Sequence, residues 1–192
     1  MRLGIIDNGT DCLAELKNLC RASDYEFDVI DPLSADKAIP SNEYDAVVLT
    51  GGLWYDDQNE WRQHYGRELE LITSSKTPLL GVCLGMHLIT LAFGEGVLPL
   101  ERRIRGSRTI VLTDLGKEEL GLPHEISVFE NHSKGVMDVP SNFDILARSD
   151  DGIEIMRHVE LPVAGVQFHP QLSRESDPVF LWQSLITSLV KR

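Results

Sequence analysis

The chain reads as an α/β protein, a mainly parallel sheet covered by helices on both faces, and three observations predict it. Short β-rich runs alternate with amphipathic helical stretches through the first half. One of those runs passes straight into a helix at Cys83, with glycine on either side. The second half then changes texture, to short strands separated by Gly, Pro, Asn and Asp.

Each element has a local reason. LGII (3–6) reads as a buried strand, Asp7-Asn8-Gly9 turns the chain, and Thr10 or Asp11 is placed to cap a helix with Leu13, Leu16 and Cys20 on one face. FDVID (27–31) and AVVLT (46–50) are the next strands, the latter ending at Gly51-Gly52. Trp61, Tyr65, Leu69 and Ile72 have helical spacing over about 59–74. Pro78 opens LLGV (79–82), and LGMHLITLAF (84–93) is helical again. Beyond it, 109–113, 126–130, 144–148, 153–156 and 163–168 read as strands. Asp177-Pro178 supplies a cap and first-turn residue for a last helix carrying Leu181, Leu185, Ile186 and Leu189.

No repeat, low-complexity segment or linker divides the sequence, so residues 1–192 are expected to form a single domain large enough to bury its own core. The net charge of -12 argues against nucleic acid or an anionic membrane as the main partner. No apolar run approaches the ~20 residues of a membrane span, and MRLGIIDNGTD lacks a signal-peptide core. Three cysteines, Cys12, Cys20 and Cys83, do not make a disulfide framework, and a reducing cytoplasm is the expected location.

Chemistry concentrates in G81-V82-C83-L84-G85, the cysteine counterpart of the G-x-S-x-G nucleophile elbow. A tight strand-to-helix turn crowds its neighbours, so glycine is needed on both flanks. It raises the thiol above the carboxyl end of the sheet, where open α/β sheets bind ligands. The helix N-terminus favours a thiolate there, and the Leu84 N–H is placed for an oxyanion. The plainer alternative is a buried structural cysteine. A nucleophile also needs a base. His169 ends the best strand of the second half and His132 follows a strand in FENHSKG, whereas His64, His124 and His158 fall in polar surroundings and read as solvated. Gly51-Gly52 is either a plain turn or a point where backbone approaches a substrate carbonyl and offers a second oxyanion N–H.

VVLTGG, GVCLGMH, FENHS and DILARSD…LPVAGVQFHPQ, in that order, resemble the class I glutamine amidotransferase family over nearly the whole chain. The second half is most similar to the free-standing amidotransferase subunit of GMP synthase found in archaea. The resemblance implies a doubly wound, flavodoxin-like α/β fold with a Cys-His-Glu site. It implies that Cys83 attacks the glutamine side-chain amide, that His169 protonates the departing ammonia, and that Gly52 and Leu84 hold the oxyanion. Gly51, His87, His132 and Ser133 would line the substrate site. No metal or other cofactor is implied for this chain. ATP would be used only by a partner synthetase, such as the ATP-pyrophosphatase of GMP synthase, since G-x-x-x-x-G-K-[ST] is missing here.

Three positions depart from the family pattern. Gln171 stands where the family has glutamate, His87 where it has glutamine, and Lys134 where the GMP synthase type has an acid. An amide oxygen at 171 can orient an imidazole but cannot stabilise its cation by charge. Glu175 and Asp177 are the nearby acids in sequence, with surface or capping roles expected. Three readings follow. The first is a subunit with glutamine amidotransferase activity. The second is a weakened or non-catalytic relative that regulates a partner, and the third a γ-glutamyl hydrolase with another substrate.

Overall fold

A computed structural model describes residues 1–32, 41–54, 58–74 and 76–191. The elements are β1 (Arg2–Ile6), α1 (Leu13–Ala22), β2 (Glu26–Ile30), β3 (Ala46–Leu49), α2 (Gln58–Ser74), β4 (Leu79–Val82) and α3 (Leu84–Ala92). There follow β5 (Leu98–Leu112), α4 (Asp114–Leu120), β6 (Glu125–Gly135), β7 (Phe143–Ser149), β8 (Gly152–His158), β9 (Val163–Val166) and α5 (Pro178–Val190).

All these strands join one sheet in the order β2-β1-β3-β4-β9-β8-β7-β5-β6. From β2 to β9 the neighbours are parallel. From β9 to β6 they are antiparallel. The sheet is apolar on both faces because each is covered. One core cluster includes Leu3, Ile5, Leu16, Val48, Leu80, Trp182 and Leu185, under α1 and α5. The other includes Ile6, Val47, Leu49, Ile72, Leu79, Met86 and Ile89, under α2 and α3. Helices on both faces of a parallel segment leave only strand ends free to bind a ligand. Among the described residues no helix is long and apolar enough to cross a membrane.

Several sequence expectations shift in detail. The first helix is capped by neither Thr10 nor Asp11 but begins after Cys12; the Thr10 hydroxyl accepts from the Cys12 N–H (3.3 Å), tightening the turn before it. The last helix starts as expected, with Asp177 accepting from the N–H groups of Val179 and Phe180 at 3.0 Å. The strand expected over 163–168 ends at Val166; the Gln167 N–H still donates to the Glu154 carbonyl (2.9 Å) and the His169 N–H to the Phe129 carbonyl (2.8 Å), and Pro170 then begins a 3-10 turn. The strands expected at 109–113 and 126–130 are parts of the long β5–β6 hairpin. The short α4 carries a legible signal that sequence reasoning passed over: Thr113 accepts from the Gly116 N–H, and Gly121 closes the helix at φ 63°.

Glu68 on α2 is fully buried, and neither of its carboxyl oxygens has a hydrogen-bond partner among the described residues. Burial lifts its carboxyl to about 7, against smaller opposing effects of its own backbone and then of Arg67. Because the folded value lies above the unfolded 4.5, its contribution to stability is present below pH 4.5 and lost as pH rises through 7. Glu68→Gln should therefore raise Tm at pH 8 by about 2–4 °C per kcal/mol recovered, and change it little at pH 5. Thermal unfolding at the two pH values checks the sign.

Candidate active site

The site forms where β1, β3, β4 and β9 end together. Cys83 follows β4 directly and precedes α3, with φ 54° and ψ -103°. That is a strained conformation for a residue with a side chain. The surroundings enforce it: the Cys83 N–H donates to the Val166 carbonyl (2.7 Å), and the His87 N–H to the Cys83 carbonyl (3.2 Å). Both flanking glycines are sterically required. A Cβ at Gly81 would lie 2.4 Å from the Gly85 carbonyl, and one at Gly85 would lie 2.4 Å from the Leu49 oxygen. The elbow read from G-x-C-x-G is thus present, packed against the end of β3.

Beside it is a cavity of about 240 Å³, lined by Gly52, Leu53, Trp54, Cys83, Leu84, His87, Arg103, Asn131, His132, Ser133 and Lys134. Such a volume lies just below the roughly 300–1,000 Å³ of sites for drug-sized ligands, and suits a single amino acid. Gly52, Leu84, His87, His132 and Ser133, the oxyanion and substrate candidates, all border it. Gly51 lies behind, between Cys83 and His169. A Cβ built there would be 3.2 Å from His169 Cε1 and 3.6 Å from Cys83 Cβ, so imidazole and cysteine meet across this glycine. At Gly52 a Cβ would fall 2.0 Å from the Asn8 carbonyl oxygen, which makes that glycine a packing requirement.

Electrostatics at rest favour neutral groups. Burial pushes the Cys83 thiol up to about 12, with the Leu84 backbone N–H opposing it and Glu154 and Glu130 adding to it. Burial, reinforced by His132, pushes His169 down to about 4. Gln171 reaches the ring: its Nε2 lies 3.4 Å from His169 Nδ1, while its Oε1 is buried without a partner among the described residues. A half-turn of the amide fits the same space and gives that oxygen an Nδ1–H to accept, leaving Nε2 of the ring, which has no partner among the described residues, without a proton. The neighbouring acids are engaged elsewhere: Glu175 accepts from the Ser127 hydroxyl (2.7 Å), and Asp177 caps α5.

The other histidines separate by their partners. Both ring nitrogens of His132 are engaged, Nδ1 with the Lys134 carbonyl (2.8 Å) and Nε2 with the Glu130 carboxyl (3.1 Å). Burial alone would lower its pKa, but the Glu130 bond and the Lys134 carbonyl outweigh it and the net shift is upward. With both nitrogens held by these partners, His132 has none left to face the thiol. His158, expected to be solvated, is instead 4% exposed, and its Nδ1 accepts from the N–H groups of Glu160 and Leu161. Its role is to hold that turn.

Sequence reasoning missed several residues that shape the site. Glu130 and Glu154 are buried in β6 and β8. Burial, and then the charge of Glu130, raise the Glu154 carboxyl well above the usual range, although Ser149 donates to it at 2.7 Å. Trp54 meets His87 edge-on at 5.6 Å and carries the Lys134 ammonium over its ring at 4.8 Å. Arg103 reaches the cavity rim, donating from Nε and Nη2 to Asn131 Oδ1 at 3.1 and 2.8 Å. The position of glutamates within β-runs was their only sequence signal.

Comparison with known proteins bears on the family and the fold. Residues 4–187 match the model of the family described as "Glutamine amidotransferase class-I". The glutamine-hydrolyzing GMP synthase subunit of Pyrococcus abyssi is 31% identical over 173 residues, 88% of each chain. The protein of that name from Methanopyrus kandleri is 40% identical over 131 residues, 66% of each. Among solved structures, a protein from Thermoplasma acidophilum described as a GMP synthase subunit superposes with TM-score 0.82 at 24% identity, covering 100% of this chain and 94% of that one. A glutamine amidotransferase from Thermotoga maritima gives TM-score 0.77 at 21% identity, covering 100% and 97%. At those identities the structural likeness speaks for the fold, and the family match carries the assignment: this chain belongs to the class I glutamine amidotransferases.

Proposed function

We propose that the chain hydrolyses glutamine at Cys83 and delivers the ammonia to a separate synthetase, of the GMP synthase kind named for its relatives. The observation that carries this reading is Cys83, held at φ 54° between glycines that no side chain can replace, with His169 adjoining it across Gly51.

The chemistry then follows. The Cys83 sulfur attacks the side-chain carbonyl carbon of glutamine while its proton passes to His169. The carbonyl oxygen, now an oxyanion, is held by the N–H groups of Leu84 and Gly52. Collapse breaks the C–N bond, His169 returns the proton to the leaving nitrogen, and ammonia departs. Water, deprotonated by His169, attacks the thioester and releases glutamate and free thiol. With the thiol near 12 and the imidazole near 4, the first proton transfer is steeply uphill in the isolated chain. By itself the chain is therefore expected to be slow, and a docked partner that reshapes the pocket is expected to speed it.

A second reading, a non-catalytic relative that regulates a partner, draws on Gln171, which brings no charge to His169. The two separate by experiment. Purified protein, alone and with candidate synthetases, is incubated with glutamine and with a glutamine-like electrophile. The amidotransferase reading expects glutamate release and mass-detected labelling at Cys83 that Cys83→Ala abolishes. No label and no glutamate under any partner condition overturns it.

A further inference from the structure

Position 87 departs from the family pattern, and the structure shows where its imidazole goes. His87 Nε2 lies 2.8 Å from Gln167 Oε1, and Gln167 Nε2 lies 3.9 Å from Cys83 Sγ. The three residues are 4%, 1% and 8% exposed. They come from the first turn of α3, the segment just after β9, and the elbow itself. We propose that His87 and Gln167 form a positioning relay that holds an amide N–H on the Cys83 sulfur. Gln167 touches the reacting atom; His87 acts through it.

The direction of each hydrogen bond fixes the relay. Burial holds the His87 imidazole down to about 4, with Gln167 opposing and His132 and Lys134 reinforcing. The ring is neutral at physiological pH and has one N–H to give. Opposite a carbonyl oxygen, that hydrogen sits on Nε2. The primary amide of Gln167 has one oxygen, and His87 engages it, so what remains to face the sulfur is N–H. A donor on sulfur favours the thiolate over the thiol. This matters because other neighbours oppose ionisation: burial first, then Cys12 from the turn before α1, Glu154 from β8 and Glu130 from β6. The Leu84 N–H is the counterweight at the elbow, and Gln167 adds a second donor from the segment after the neighbouring β9. The departure at 87 thus orients a neighbouring amide.

The relay concerns the same thiol as the proposed glutaminase reaction, but it is tested without glutamine or partner. The pH dependence of Cys83 alkylation by iodoacetamide, followed by mass spectrometry, reads the thiol directly. Gln167→Leu should move the midpoint up by about one pH unit, which is roughly tenfold slower labelling at fixed pH below it. His87→Leu should move it in the same direction by less. His87→Gln, whose amide N–H reaches for the same oxygen, should restore the native profile. Unchanged midpoints in both leucine variants overturn the relay. So does a downward shift, which would mean that the thiol donates to the Gln167 oxygen. Should Gln167→Leu fail to fold, the His87→Leu and His87→Gln pair decides alone. A shifted profile in a protein that never releases glutamate keeps the relay and overturns the functional reading.

Discussion

Gln171→Glu should raise glutamate release by about 10²–10³-fold, the largest gain expected of any single substitution in this chain. In serine triads an amide in place of the acid lowers the rate by roughly 10⁴, chiefly through the wrong imidazole tautomer. A cysteine depends less on its base, and an amide turned to accept from Nδ1–H already keeps the tautomer, which together set the smaller figure. What the amide lacks is charge. The Gln171 amide lies 3.4 Å from His169 Nδ1, and no carboxylate contributes to His169, which stays near 4. A carboxylate in that place accepts from Nδ1–H, leaves Nε2 without a proton, and favours the imidazolium by charge. The pH–rate profile carries the signature. A base works above its pKa, so the acid limb should move up from near pH 4 towards the ordinary histidine range as the rate rises. A rate that falls on this substitution would show that the amide has a task of its own.

Gly52→Ala should act as strongly in the other direction. The added Cβ would lie 2.0 Å from the Asn8 carbonyl oxygen and 3.0 Å from Asn8 Cβ, so backbone has to move. That movement displaces the proposed oxyanion donor together with Leu53 and Trp54 on the cavity wall. A misplacement of about 1 Å lowers rates by about 10²-fold, and loss of one oxyanion donor by about 10²–10³. Overpacking should also lower stability by about 1–3 kcal/mol. Steady-state kinetics should show kcat falling at least 10²-fold, while iodoacetamide still labels Cys83. Gly51→Ala is the milder neighbour. Its Cβ meets the His169 ring edge at 3.2 Å, a contact a small rotation relieves. Equal losses at the two positions would argue against an oxyanion role for Gly52.

The legible features of this sequence were those enforced by near neighbours. G81-V82-C83-L84-G85 announces its turn because the steric conflict at Gly81 involves Gly85, four residues on. Asp177-Pro178 announces a helix because cap and capped N–H groups lie within three residues. Where the partner is remote, sequence reasoning was less complete. Glu130 stands within the run ISVFE, which reads as an ordinary strand, yet its carboxylate is buried against His132. Gln167 stands in VAGVQF, where nothing marks its side chain as reaching the elbow.

The sequence by itself determined the fold class, the place of the elbow and the requirement for glycine at 81. Each is a matter of backbone sterics over a few residues, or of an apolar pattern that only one kind of layer can bury. The tertiary structure set Gly85 against Leu49 on β3, and it decided which side chains meet Cys83. The sheet order sets β4 beside β9, and so brings His87 against Gln167 across 80 positions of sequence. It also engages both nitrogens of His132, while Nε2 of His169 has no partner among the described residues. Protonation and hydrogen-bond direction depend on distances of a few ångströms between strands far apart in the chain. Those distances exist only once the sheet has assembled.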